Sequence, residues 1–301
     1  MISLAYDGES TPDGLGAQIQ RIYTIYAIGR RLKLRTTNLR VSDVLIHHQD
    51  GALDVQNHKA LIENTNNYLE SLFGENKACP NPIRVPLLTN RVLFKYLLKY
   101  GLRPKRFTLI TNNPFPVTSK FQNILNRLNQ PSNGQVKNLT LHIRSAGNKP
   151  DFILKNERQS RNINPDRYLQ VIEKLYGQLN RFNGIRLRIF TDSIEKVVNF
   201  SVPSGQERLW IEAGYEINEG KINFEPNTEL ESLISFLRDT YNAEIVRGGD
   251  PLDCLQELVN SDILVMSRSS LSYAAGLIGN HSVVYMPIDF WHFPLKHWKT
   301  F

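Results

Sequence analysis

Apolar positions along this chain recur with two periods that alternate from end to end. Residues 2–6, 43–48 ("DVLIHH") and 106–111 ("RFTLIT") are short apolar runs that predict strands. Between them, residues 15–32, 57–73, 91–99 and 119–128 carry apolar positions at helical spacing. In the first of these helices Ile19, Ile22, Tyr23 and Tyr26 fall on one face at i, i+3, i+4 and i+7. The polar stretch 129–138, "NQPSNGQVKN", breaks the pattern and predicts a linker.

Beyond the linker the alternation is cleaner. Strands are predicted at "LTLHIR", "IRLRIFT", "AEIV", "DILVM" and finally "SVVYM". Helices are predicted over 166–182, briefly over "DSIEKVV", then over 230–241, 251–259 and "SSLSYAAGLIG". Strands alternating with helices predict parallel sheets flanked by helices. The expected fold is therefore α/β, with two Rossmann-like domains, 1–135 and 136–301, facing across a cleft. The length of 301 residues fits two domains.

Composition narrows the setting. Hydrophobic residues make up 41% and charged residues 22%, as in ordinary globular proteins. No run reaches the roughly 18 apolar residues of a membrane span, and the first residues lack a secretory pattern. Two cysteines give no disulfide framework. A cytoplasmic location is expected, with peripheral contact to the inner membrane face left open by the basic and aromatic tail "DFWHFPLKHWKTF", read first as a helix packing back on the N-terminal domain. The net charge of +7 suits an anionic partner. The basic residues are spread out, which argues against nucleic acid.

In open parallel sheets ligands sit beyond the carboxyl ends of the strands, so the segments following each strand hold the chemistry. Four stand out. The first is the loop "DGESTPDGLG" at 7–16, where Gly14 and Gly16 open the long helix. Glycine admits close backbone approach and a helix N-terminus offers free N–H groups; Asp13 acting as a plain helix cap explains the same residues. The second is "LHIRSAG", where His142 and Arg144 share one side of a strand end and an arginine fork matches a phosphate. The third is Thr191-Asp192, a cap or a contact to a ribose or base. The fourth is Ser267, Arg268, Ser269 and Ser270, between a strand and a helix, where hydroxyls and free N–H groups form a phosphate site or a cap.

The last three segments, in this order, resemble the bacterial α1,2-fucosyltransferases. That family carries a His-x-Arg-x-Gly-Asp strand end, a Phe-Ser-Asp-Asp-x-x-Trp segment and a Ser-x-Ser-x-Phe-Ser-Trp-Trp helix start. "GLGAQIQRIYTIYAI" resembles its N-terminal Gly-Leu-Gly-Asn-Gln helix. The wider group of α1,6- and protein O-fucosyltransferases shares the His-x-Arg feature. The chain departs from the pattern: Gly-Asp after His-x-Arg is Ala146-Gly147, Asn is Ala17, the second Asp is Ser193, its Trp is Lys196, and the tryptophan pair is Tyr273-Ala274.

The resemblance implies a GT-B enzyme that inverts the anomeric centre without a metal. It would move L-fucose from GDP-fucose to a glycan hydroxyl, using no cofactor beyond the donor. No Asp-x-Asp occurs in the sequence, and the histidines show no metal-ligand spacing beyond His47-His48. His142, Arg144, Asp192, Ser267, Ser269 and Ser270 would bind the donor, with Arg144 stabilising the leaving diphosphate. Gly14 and Gly16 would form the glycine-rich loop and Asp13 would be the first choice of general base. A transferase for another nucleotide sugar, or a silent nucleotide-sugar-binding module, are the alternatives.

Overall fold

A computed structural model describes residues 2–6, 14–33, 35–37, 39–42, 55–74, 82–84, 107–111, 138–144, 152–154, 157–159, 163–178, 185–192, 195–202, 204–205, 207–212, 216–290, 292 and 294–301. The expected strand at 43–48 and helices at 91–99 and 119–128 lie outside these residues. The chain divides into two compact units, Met1–Gln130 with Tyr273–Ile278, and Pro131–Ser272 with Gly279–Phe301. Both are α/β with parallel sheets.

The first unit holds four parallel strands, β1 (Ile2–Tyr6), β2 (Arg35–Thr37), β3 (Pro82–Arg84) and β4 (Phe107–Thr111), in the order β2-β1-β4-β3. Helix α1 (Leu15–Leu32) follows β1, and its predicted stripe is the buried one: Ile19 and Ile22 are fully enclosed and Tyr23 nearly so. Tyr26 stacks on Phe73 of α2 (Val55–Phe73), ring centroids 4.6 Å apart. Gln18 is buried on α1 and is satisfied by Ser42, whose amide donates to its carbonyl at 2.7 Å. The Gln of the opening motif thus pins the segment after β2 to the helix. Lys33 closes α1 as a left-handed C-cap.

The second unit is built on six parallel strands. They are β5 (Asn138–Ile143), β8 (Arg186–Thr191), β11 (Glu244–Arg247), β12 (Ile263–Val265), β13 (Val283–Met286) and β14 (Lys299–Thr300). Two antiparallel pairs stand apart from this sheet: β6 (Phe152–Leu154) with β7 (Glu157–Gln159), and β9 (Val198–Ser201) with β10 (Lys221–Phe224). The sheet order is β11-β8-β5-β12-β13-β14. Central strands buried on both faces need continuous apolar runs, and residues 139–143 and 263–265 are buried throughout, whereas β14 at the edge is exposed.

Helix α3 (Pro165–Gln178) and α5 (Thr228–Tyr241) cover the sheet with Val171, Ile172, Leu233, Ile234 and Leu237. The ring centroids of their Tyr176 and Tyr241 lie 4.2 Å apart. Local signals start the helices: the Asn227 side chain accepts from the Leu230 amide at 3.1 Å, and Asp250 from the Leu252 amide at 2.7 Å, with Pro251 in the first turn of α6 (Pro251–Val259). A short α4 (Glu207–Glu212) lies between β9 and β10, and α7 (Ser270–Ile278) follows β12.

Three expectations are corrected. Among the described residues of "DSIEKVV" there is no helix: the chain bends at Glu195 and Lys196 and enters β9 at Val198. Glu195 is held instead by Arg247 at the end of β11, 3.1 Å away. The aromatic tail is not a helix. Its last residues form β14, which pairs in parallel with β13, so "SVVYM" is not the final strand. The cap of α1 is Gly14, in extended backbone with no side-chain bond, not Asp13.

Candidate active site at the carboxyl ends of the strands

The order of the six strands fixes where a ligand belongs. From β5 the chain steps to β8 and β11 on one side, then crosses back to β12 on the other. The order reverses between β5 and β12, and the crevice beyond the carboxyl ends at that reversal is the binding position of open α/β sheets. The predicted residues of this unit converge there.

His142 and Arg144 leave the end of β5 toward opposite neighbours. His142 Nδ1 meets Ser267 Oγ, just past β12, at 3.1 Å. Arg144 Nε lies 3.5 Å from Asp192 Oδ2, just past β8. One strand end is thereby tied to both flanking strands. The two pairs differ in environment. His142 and Ser267 are buried, while the side chains of Arg144 and Asp192 are 22% and 28% exposed. The buried pair braces the floor of the crevice and the ionic pair faces solvent.

Burial and the neighbouring Arg144 charge depress the His142 pKa to about 3, so the ring is neutral at physiological pH and acts as a hydrogen-bonding group, not an acid. The Nδ1–Oγ bond runs in either direction according to tautomer. Between the unfolded value of His142 near 6.5 and about 3 the unfolded chain binds the extra proton. The contribution is whole above that window and is lost as pH falls through it, at no more than about 1.4 kcal/mol per pH unit. His292, depressed to about 4 by burial, acts with the same sign. The melting temperature is expected to fall between pH 7 and pH 5, and less steeply in His142→Gln. Equal slopes in the two proteins would contradict a neutral buried His142.

The loop from β12 to α7 is ordered by its serines. Ser269 is buried and its Oγ accepts from the Leu271 amide at 3.2 Å, a cap. Ser272 Oγ donates to the carbonyls of Ser267 and Ser269 at 3.2 and 3.1 Å. Ser270 opens α7 and is partly exposed. The helix thus presents its first amides beside β12, where an anion is favoured.

Sequence reasoning named Arg268 without giving it a role of its own, and it missed Tyr168, Arg167 and Asp289. Tyr168 of α3 is fully buried and its hydroxyl reaches the His142 carbonyl at 3.4 Å. Asp289, past β13, takes both oxygens to Arg167 Nη1 at 3.2 Å and pairs with Arg268 Nη2. Arg268 lay in the quoted serine segment, where the strand-end rule points. The others come from a helix start and a turn that only the sheet order brings near.

Gly14 and Gly16 stand at the start of α1 in the first unit. Asp13, Asp7, Glu9, Asp151, His47 and His48 lie outside the described residues. Among the described residues no group of three or more His, Cys, Asp or Glu could hold a metal ion, and no helix is long and apolar enough to cross a membrane.

No family model and no curated protein matches the chain. Among solved structures it is similar to POFUT1 in complex with GDP, at 10% identity and a TM-score of 0.38, over 93% of this chain and 95% of that one. It is also similar to the E. coli heptosyltransferase WaaC with ADP-2-deoxy-2-fluoro heptose, at 10% identity and a TM-score of 0.36, over 100% of this chain and 93% of that one. Likenesses as loose as these carry no weight for function.

Proposed function

We propose that the protein is an inverting, metal-independent glycosyltransferase that takes its sugar from a nucleotide sugar, with GDP-fucose the donor its motifs favour. The observation that carries this is the convergence of an arginine, an acid and a helix N-terminus on the reversal point of the second unit's sheet. That combination suits a nucleoside diphosphate. The arginine fork and the positive amino end of the α7 dipole suit phosphate oxygens. Asp192 ends the strand next to β5, where dinucleotide-binding folds hold a ribose hydroxyl.

In the reaction an acceptor hydroxyl oxygen attacks the anomeric carbon from the face opposite the leaving group. The bond from that carbon to the phosphate oxygen breaks and its electron pair passes to the diphosphate. Arg144 and the α7 amides stabilise this developing charge, and Ser270, which opens α7, adds a hydroxyl. His142 and Ser267 do not touch the donor; they hold the strand ends in register. Ser269 shapes the same loop by capping α7. The acceptor's proton passes to a base in the opening loop, with Asp13 the first choice. Gly14 and Gly16 stand where that loop enters α1. The acceptor is a glycan hydroxyl, and the first unit recognises it.

A panel of nucleotide sugars tested by thermal shift checks the donor. A GDP-sugar is expected to raise the melting temperature, by mass action, and more than ADP- or UDP-sugars do. Turnover is expected to survive EDTA. Absence of any shift across the panel sinks the proposal. A preference for another base redirects it to a different nucleotide sugar. Binding without hydrolysis or transfer to any acceptor leaves a silent sugar-nucleotide-binding module.

A further inference from the structure

Arg268 is a charged side chain only 8% exposed, set between the serine that braces His142 and the serine that caps α7. Buried charges need good partners. Its carboxylate partner Asp289 is 48% exposed, so water screens that attraction. The same carboxylate is shared. Arg167, from the first turn of α3, binds both Asp289 oxygens at 3.2 Å and also donates to the Phe301 carbonyl beside β14. Two guanidinium groups therefore face one carboxylate, beside the amino end of a helix. Arg268 is also close enough to Tyr168, the residue bonded to the His142 carbonyl, for its charge to act on that phenol. The guanidinium is thus held by a carboxylate just past β13 and acts on the tyrosine bonded at the end of β5.

We propose that Arg268 is a second cation for the donor's diphosphate, and that Asp289 is its resting counter-ion, exchanged for phosphate when the donor enters. The inference rests on the donor reading above and adds to it. A nucleoside diphosphate carries more charge than Arg144 alone neutralises, and Arg144 is itself partly offset by Asp192. The exchange is cheap because Asp289 keeps Arg167. Releasing Arg268 strands no carboxylate, and the buried guanidinium trades a screened partner for a multiply charged one in a bidentate fork.

The roles predict opposite signs for the two partners, which a purely structural latch does not. Titration calorimetry with inorganic pyrophosphate and with GDP, at fixed salt, on the full chain is the test. Arg268→Ala is expected to weaken both ligands about tenfold or more, from the loss of charge-assisted bonds, with Arg268→Lys between it and wild type. Asp289→Asn removes the competitor. It is expected to tighten both ligands about threefold or more even though the ligand-free protein melts lower. If Asp289→Asn weakens binding, or if neither variant changes it, the exchange is wrong and Arg167, Asp289 and Arg268 form only a brace. If wild type binds while Arg144→Ala does not and the Arg268 variants match wild type, the donor site stands and this inference falls. If wild type binds neither ligand, both fall. Arg268→Lys and Asp289→Asn keep the test available should Arg268→Ala fail to fold.

Discussion

Arg144→Ala is expected to bind GDP and GDP-sugars at least about tenfold more weakly than wild type while melting at nearly the same temperature. The two halves have separate causes. The Arg144–Asp192 pair is more than a fifth exposed on both sides, and ion pairs of that kind contribute about 0–1 kcal/mol to folding. Against a diphosphate the same guanidinium makes charge-assisted bonds of about 1.5–3 kcal/mol. A tenfold loss of affinity removes about 1.4 kcal/mol of ligand stabilisation. In domains of this size that is about 3–6 °C of the ligand-induced rise in melting temperature. Turnover should fall further, by about a hundredfold, because charge on the diphosphate grows as the glycosidic bond breaks and a fixed cation is worth most there. Arg144→Lys keeps the charge and loses the fork, so it belongs between the two. An unchanged ligand-induced shift in Arg144→Ala removes Arg144 from the donor site.

The same residue shows how far the sequence could be read. His142 and Arg144 were visible because a strand ending in alternating polar residues points them one way, and the rule about strand ends says where to look. Ser267 and Asp192 were found by the same rule. The sequence did not show which neighbour each would meet. That depends on β5 lying between β8 and β12, an order set by long-range pairing. The second unit's sheet was legible because its strands are short, mostly apolar stretches set between helical periods, and Ile263–Val265, buried on both faces, is apolar throughout.

The failures have the same origin. Residues 192–198 look helical in isolation, yet Val198–Ser201 pairs with Lys221–Phe224, a partner some twenty residues on that no local period reveals. The tail looked like an aromatic helix; Lys299 and Thr300 are a strand only because Tyr285 and Met286 offer an edge. Arg167 and Asp289 come from a helix start and a turn, where side-chain period carries no signal, and they meet only because β13 and α3 are placed by the sheet.

If β5 is the centre of the second unit, Leu141→Ala should be among the most damaging single changes. Leu141 is wholly buried and lies in register with Ile189 of β8 and Val265 of β12, so no neighbour can collapse into the space without displacing a strand. Such a truncation costs about 2–5 kcal/mol through lost transfer energy and the residual cavity. For a domain of this size the melting temperature should fall by about 5–15 °C. Ile245→Ala, on the half-buried edge strand β11, should cost clearly less. The affinity for GDP, measured well below the transition, should stay within about threefold of wild type. Successive side chains alternate between the faces of a strand, so Leu141 and His142 point to opposite sides. Removing the first hollows the core on one face, and the His142–Ser267 brace on the other face remains to hold the strand ends. A fall in affinity that tracks the loss of stability would mean that brace cannot hold the site without the packing behind it. A melting temperature unchanged by Leu141→Ala would displace β5 from the centre of the sheet, and with it the reversal point that the donor site depends on.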